Sequence, residues 1–389
     1  MDLGSVLIAV LLIGGILAVL AQGVAVVLAV RMPHLSPPTG PVPSRGPKVS
    51  VIVAARNEEA DLSKCLDDLV AQDYPDLEII VVDGGSTDRT REVALARAPR
   101  VRVLEEPTLP PGWVGKNWGC DVGYRAASGD FLLFTDADVR YHPGAVRATV
   151  AWAETEGAPL TTLAPRVEMV GFWEKVVLPF YVQMVLTYFR TPRVNRDGSS
   201  AAMANGQYTL VRRAEYEAVG GHAAVRGTIL EDVALARRFR AAGLRMRVAW
   251  APDLLVTRMY RDRHEMFEGL VKNIHDTEFS AARQVGLFLA VLSVFLAPLA
   301  LLPIGLALGS VALTVEGGIV AFVIVAKHVL LARGLRAPPA FGLLFPIAAG
   351  YYLVLLATSL CRGLLGRPVS WKGRSYPIRR EGRAPPRNG

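Results

Sequence analysis

The stretch FLLFTDAD (131–138) joins a short unbroken apolar run to two aspartates, Asp136 and Asp138. A run without alternation reads as a strand buried on both faces, as in a parallel sheet covered by helices. Two carboxylates two residues apart at the C-terminal end of such a strand can both reach one hard divalent cation. Mg²⁺ or Mn²⁺ takes oxygen ligands, and substrate phosphates commonly complete the shell. Open α/β sheets also bind their ligands outside the carboxyl ends of the strands. The competing reading is that the two acids only open a loop and cap the helix after Pro143.

Upstream of this stretch the pattern repeats. VSVIVA (49–54), EIIVVD (78–83) and VRVL (101–104) read as strands, with helical stretches near 59–72 and from Asp88 to about Ala98. Strands alternating with helices predict an α/β fold with a mostly parallel sheet flanked by helices. Arg56, Asn57, Glu58, Asp83, Asp136 and Asp138 all fall just past strand ends, so the pattern predicts one polar rim. Acids outnumber bases there, and a bare phosphate would be repelled. A nucleoside diphosphate carried by a divalent ion fits better, with Glu58 and Asp83 at the ribose or base. Gly84-Gly85-Ser86-Thr87 is neither a dinucleotide fingerprint nor a P-loop. Lys116, in GWVGKNW (112–118), offers a cation to the phosphates; the alternative is a solvated loop lysine.

Both ends of the chain are apolar. The 389 residues are 51% hydrophobic, and residues 3–30 hold no charge and one large polar residue, Gln22. That length crosses a hydrocarbon core of about 30 Å. Only Asp2 precedes the run, which is too long for a cleaved signal. Arg31 follows it, favouring an uncleaved anchor with the subsequent chain in the cytoplasm. The expected organisation is an anchor at 1–31, a Pro/Gly/Ser-rich linker at 32–48, a catalytic domain at 49–284, a transmembrane region at 285–362 and a basic tail at 363–389. Candidate spans are 287–309, 317–332 and 341–361, with Lys327 and His328 expected near an interface.

The net charge of +8 is concentrated from Arg362 onward, where eight Lys/Arg face the single acid Glu381. Beside a membrane this reads as an anionic-lipid contact or a topology anchor. No aromatic-interleaved basic surface accompanies it, so nucleic acid is not the expected partner. Three C-terminal crossings would place the tail outside, against the positive-inside rule, so a re-entrant segment or a different number of crossings stays open. Cys65, Cys120 and Cys361 show no paired or metal-type spacing and read as thiols in a reducing compartment.

The set VIVAARNEE (51–59), VVDGGSTD (81–88), FTDAD (134–138) and Glu231-Asp232 resembles a family 2 glycosyltransferase with the GT-A fold. PPGWVGKNW (110–118) is similar to membrane members linked to hopanoid and carotenoid glycosylation. The resemblance covers about 49–280. It implies Glu58 and Asp83 at the nucleotide, Asp136 and Asp138 at the metal and diphosphate, and Asp232 as catalytic base. By implication Arg56 and Lys116 also bind substrate, the donor is a nucleotide sugar (UDP-linked favoured), and the acceptor is a lipid at the cytoplasmic face of the plasma membrane. Two departures stand out. Gly84 occupies a position where many members carry a second acid. A Gln-x-x-Arg-Trp motif is absent, which favours single transfer over processive polymer synthesis.

An inverting transfer needs a base for the acceptor hydroxyl while a metal stabilises the departing diphosphate. Glu231-Asp232 precedes the helical run VALARRFRAAG (233–243), which suits a base and equally suits acids placed for the helix dipole. Glu231 either shares the role or orders a loop. An ordinary carboxylate needs burial or a neighbouring acid to work near neutrality. The aromatic stretch 171–190 reads either as a helix lying in the membrane interface or as a buried packing helix. His222 falls in a loop expected to be flexible, and it, Arg258, Arg261 and Lys272 are candidate cations for the diphosphate or for lipid headgroups. A rival reading is a non-catalytic nucleotide-sugar-binding scaffold. A nucleotidyltransferase would need a Gly- and Arg/Lys-rich first loop, which Arg56-Asn57-Glu58-Glu59 does not supply.

Overall fold

The structure, a computed structural model, describes residues 3–276, 281–367, 369–371 and 374–376. Most of the basic tail, residues 377–389, lies outside the described residues. In chain order, α1 (Leu3–Val30) precedes β1 (Val49–Ala55), α2 (Leu62–Val70), β2 (Leu77–Asp83), α3 (Thr90–Leu95), β3 (Val101–Glu105), α4 (Gly115–Ala126) and β4 (Phe131–Thr135). Next come β5 (Val139–Tyr141), α5 (Ala145–Thr155), β6 (Leu160–Ala164), β7 (Arg166–Val167), α6 (Phe172–Tyr188), β8 (Thr209–Arg212), α7 (Arg213–Ala218), α8 (Glu231–Ala241), β9 (Met246–Trp250) and β10 (Leu255–Thr257). Helices α9 (Arg263–Asp276), α10 (Ala281–Val291), α11 (Leu301–Ala307), α12 (Val311–Gly334) and α13 (Phe345–Leu364) follow.

The chain forms two compact units. One comprises Leu28–Glu168 and Val185–Met259, the other Met1–Val27, Met169–Met184 and Tyr260–Gly389. The first is built on a seven-stranded sheet of order β3-β2-β1-β4-β8-β6-β9. The expected mostly parallel architecture is observed, with β8 the one antiparallel member. Val49, Val51, Val53, Ile80, Leu132 and Leu133 are fully buried, as strands covered on both faces require. Cys65 and Cys120 are buried thiols and Cys361 is exposed, none in a disulfide.

Register makes the rim. Ala55 pairs with Asp83 and Asp83 with Glu105, so three strands end level and hand the chain to Arg56, Gly84 and Glu106. Strand β8 runs the other way, with Thr209 opposite Phe134, so the residues entering β8 reach the same rim as those leaving β4. A small second sheet, β5-β10-β7, sets Thr257 opposite Val139, beside Asp138.

The second unit is helical. Three helical segments, Ala281–Ala307, Val311–Gly334 and Pro339–Leu364, are long and apolar enough to cross a membrane, and within α1 the apolar stretch Ile8–Val24 is shorter. The first segment is interrupted at Leu292–Ala300 by wide and then tight turns around Pro298, whose missing N–H breaks the helical ladder. Helices α11 and α12 touch backbone to backbone, since a Cβ on Gly305 or Gly317 would overlap the main chain at Thr314 or Leu302. Small residues permit such close helix packing.

Two expectations are corrected here. Lys327 and His328 do not snorkel to an interface; both are buried within the helical unit. The Lys327 ammonium bonds the side-chain oxygens of Gln22 and Gln183, and His328 stacks against Phe345. Burying an ammonium demands hydrogen-bond partners, and the one large polar residue of the N-terminal run supplies one of them. Of the two readings of 171–190, packing is the one observed: Phe180 meets Phe295, His328 and Tyr352. Arg362, counted with the tail in sequence, instead makes a two-pronged ion pair with Glu268 at 2.7 Å per contact.

Candidate active site

At the β1 and β2 ends of the rim, two loops are zipped together. The Asn57 amide donates to Ser86 Oγ (3.0 Å), the Thr87 amide to Asn57 Oδ1 (2.9 Å), and the Glu58 amide to Thr90 Oγ1 (2.7 Å). Asn57 adopts a left-handed φ of 53° to make this turn, a conformation asparagine tolerates. Asp83 is buried and accepts from the Ser86 amide at 3.3 Å. The Arg56 guanidinium donates to the Gly84 and Gly85 carbonyls, bracing the turn.

Gly84 has a steric explanation. A Cβ there would stand 2.8 Å from Glu106 Oε2 and 3.3 Å from the Ala55 carbonyl oxygen. The carboxylate missing at position 84 is therefore replaced in space by one from the end of β3. Glu106 was not singled out in the sequence, because its proximity depends on the β2–β3 register.

Asp136 and Asp138 flank buried Ala137 in the turn between β4 and β5. Asp138 Oδ2 accepts from Thr257 Oγ1 at 3.2 Å, and Gln207 Nε2 donates to the same hydroxyl at 3.2 Å. Asn205 in turn donates to Gln207 at 3.1 Å. Residues from the second sheet and from the approach to β8 thus orient the second aspartate. Among the described residues, no group of three His, Cys, Asp or Glu side chains gathers to enclose a metal. A divalent ion here would rest on Asp136 and Asp138 and take its remaining oxygens from substrate. The pair fits such an ion, because Asp136 already holds a cation: Lys116 Nζ lies 2.6 Å from its Oδ1.

Lys116 also lies 2.8 Å from Glu231 Oε1, joining the Asp136 side of the rim to the first turn of α8. Burial pulls its ammonium towards neutrality, but Asp136, Glu231 and Asp232 more than reverse this and hold its pKa well above the ordinary lysine value. Asp232 accepts from the Gly206 amide at 2.6 Å and from the Val233 amide at 2.7 Å. Burial, reinforced by Glu231, pushes its carboxyl up to about 7 despite Lys116 and the two amides. The burial and the neighbouring acid required of a carboxylate base are both present.

The GWVGKNW segment holds this cluster together. Its Val114 amide donates to the Arg226 carbonyl at 2.7 Å, and buried Asn117 donates to the carbonyls of Val225 and Thr228, each at 2.9 Å. Lys116 thereby starts α4 beside the loop that delivers Glu231. His222, expected in a flexible loop, is instead buried against Phe134 and Tyr216, with Nδ1 2.8 Å from the tyrosine hydroxyl. Burial first, then Lys116, lowers its pKa to about 3, so it is a neutral packing group and no cation for a diphosphate.

Four residues sequence reasoning left aside thus enter the site: Gly206, Asn117, Thr257 and Glu106. Asn117 adjoins a quoted lysine, and that adjacency was the one available signal.

Comparison with known proteins agrees with this geometry. Residues 50–220 match the family described as glycosyl transferase family 2. The chain is 28% identical over 231 residues to the 4,4'-diaponeurosporenoate glycosyltransferase of Staphylococcus aureus (strain USA300), covering 58% of this chain and 60% of that protein. It is 27% identical over 229 residues to the protein of the same name from Staphylococcus haemolyticus (strain JCSC1435), with the same coverage. The chain thus spans about 60% of the length of these relatives. The mannosyltransferase PcManGT from Pyrobaculum calidifontis, solved with GDP-Man and Mn²⁺, superposes with a TM-score of 0.53 at 20% identity, covering 90% of this chain and 99% of that one. That likeness is one of fold.

Proposed function

We propose that this chain, which carries a family 2 glycosyl transferase domain at residues 50–220, transfers a sugar from a nucleotide-diphosphate donor to a membrane lipid. The observation that carries the reading is the Lys116 bridge. One ammonium ties the Asp136 of a strand-end acid pair to Glu231 at the start of α8, next to Asp232. A diphosphate-binding half and a proton-accepting half are thereby in contact. The relatives named for 4,4'-diaponeurosporenoate support a lipid acceptor, and the base proposed below serves the case in which the acceptor group is a hydroxyl and not a carboxylate. The apolar helices support a multi-pass protein of the plasma membrane, with the domain on the cytoplasmic side.

In this reading Asp83, Glu58 and Glu106 hold the ribose and base, and Arg56 braces the turn beneath them. Asp136 and Asp138 would hold Mg²⁺ or Mn²⁺, which would supply positive charge for the departing diphosphate. Lys116 adds a protein cation to the same phosphates. Asp232 accepts the acceptor hydroxyl's proton at Oδ2 or Oδ1 as that oxygen attacks the anomeric carbon, giving inversion. The Gly206 amide fixes the orientation of this carboxylate, and its raised pKa makes it basic enough near neutrality. UDP-linked sugars are the favoured donors.

The test is donor turnover by the purified full chain in lipid extract, with Mg²⁺, Mn²⁺ or a chelator. A labelled sugar appearing in the lipid phase only with metal supports the reading. Absence of turnover with UDP- and GDP-sugars alike overturns it.

A further inference from the structure

Two cations have claims on one oxygen. Asp136 Oδ1 accepts from Lys116 Nζ at 2.6 Å, and Asp136 is also one of the two carboxylates assigned to a divalent ion in the proposed donor site. An ammonium this close competes with a second cation for the carboxylate, because two positive charges at contact distance repel each other. The ammonium is not locked in place from behind. It sits on a flexible four-carbon stem and is one-third exposed. Its other partner, Glu231, is buried and stays at the start of α8.

We infer that Lys116 is a displaceable placeholder: in the donor-free protein it occupies the cation position of Asp136, and it passes to the donor's diphosphate when the divalent ion takes that carboxylate. The arrangement offsets part of the negative charge of a three-acid cluster while the site is empty. It also makes the metal and the nucleotide bind together, since the ion displaces the ammonium and the diphosphate gives it a new anion. The inference rests on the proposed donor site and adds the order of charge exchange within it.

The test uses the full chain in detergent and reads Mn²⁺ binding directly by electron paramagnetic resonance, with and without UDP. Without nucleotide, Lys116→Gln should bind Mn²⁺ about fivefold or more tightly than wild type, and Lys116→Arg, which keeps the charge, should not. UDP should tighten Mn²⁺ binding less in Lys116→Gln than in wild type, because the phosphates lose their protein cation. Equal Mn²⁺ affinity of wild type and Lys116→Gln without UDP overturns the inference while leaving the donor site standing. Absence of Mn²⁺ binding in every variant, even with UDP, overturns both. Should Lys116→Gln fail to fold, acylation of wild-type Lys116 followed by mass spectrometry gives the answer. Mn²⁺ alone should raise its labelling relative to the other lysines and added UDP should lower it again; unchanged labelling with Mn²⁺ overturns the inference.

Discussion

The Gly206 amide donates to Asp232 Oδ2 at 2.6 Å, and the absence of a side chain there lets the Lys116 ammonium lie against the same backbone. A Cβ there would press on the Lys116 ammonium and lie 3.3 Å from the same carboxylate oxygen. Replacing Gly206 with Ala should therefore push Lys116 away from the acids and rotate Asp232. The expected result is a fall in transfer with little loss of stability, read as kcat against thermal midpoint. Full activity in Gly206→Ala would show that the close spacing at Gly206 does not matter to the site.

Asp232→Asn keeps the shape and one of the two amide contacts, since its carboxamide has a single acceptor oxygen, and cannot take a proton. Transfer should drop by about 10²–10⁴-fold, the usual worth of a positioned base. Activity retained within a few-fold would point to an acceptor that is already anionic and needs no base.

The same carboxyl gives a pH dependence. Folded Asp232 keeps its proton up to about 7, whereas an unfolded aspartate loses it near about 4. Between those values the folded chain binds more protons, so its contribution to stability falls as pH rises and is lowest above 7. Transfer runs the opposite way: below about 7 the base is protonated, and kcat/KM should decline roughly tenfold per pH unit. Asp232→Asn should accordingly melt above wild type at pH 8 and level with it near pH 3.5. A melting difference that is the same at both pH values would contradict the raised pKa.

Glu106→Gln tests the acid that stands beside Gly84. Loss of its charge should raise KM for the nucleotide donor with kcat little changed, since base recognition is remote from the reacting carbon. Gly84→Asp, which copies the pattern of many relatives, should weaken donor binding here, because it sets two carboxylates within contact distance.

In the helical unit, Gly317→Val should prevent α11 and α12 from meeting, as the added carbon overlaps the Leu302 backbone. Overpacking of this kind costs about 1–3 kcal/mol or more. A lowered midpoint of thermal aggregation in detergent checks it, and an unchanged midpoint would show that the helices separate freely.

The strands and their rim were legible in sequence because apolar runs and strand-end acids are local signals. VSVIVA, EIIVVD and FLLFT became β1, β2 and β4 within a residue or two; the spans at 317–332 and 341–361 fall within two of the long apolar helical segments, and 287–309 overlaps the third and runs two residues past its end. Lys327 was misread because a lysine in an apolar helix looks the same in sequence whether it snorkels or is buried. Its glutamine partners lie 305 and 144 residues away.

The sequence by itself determined which residue types reach the carboxyl edge of the sheet, since hydrophobic periodicity and chain direction set that edge. Only the tertiary structure decided which of them meet. The antiparallel entry of β8 brought Gly206 to Asp232, the β5–β10 pairing brought Thr257 to Asp138, and Asn117 drew α4 to the Glu231 loop. These contacts join residues 26 to 119 positions apart, and at such separations side-chain proximity is set by strand register and loop closure, which no local pattern encodes.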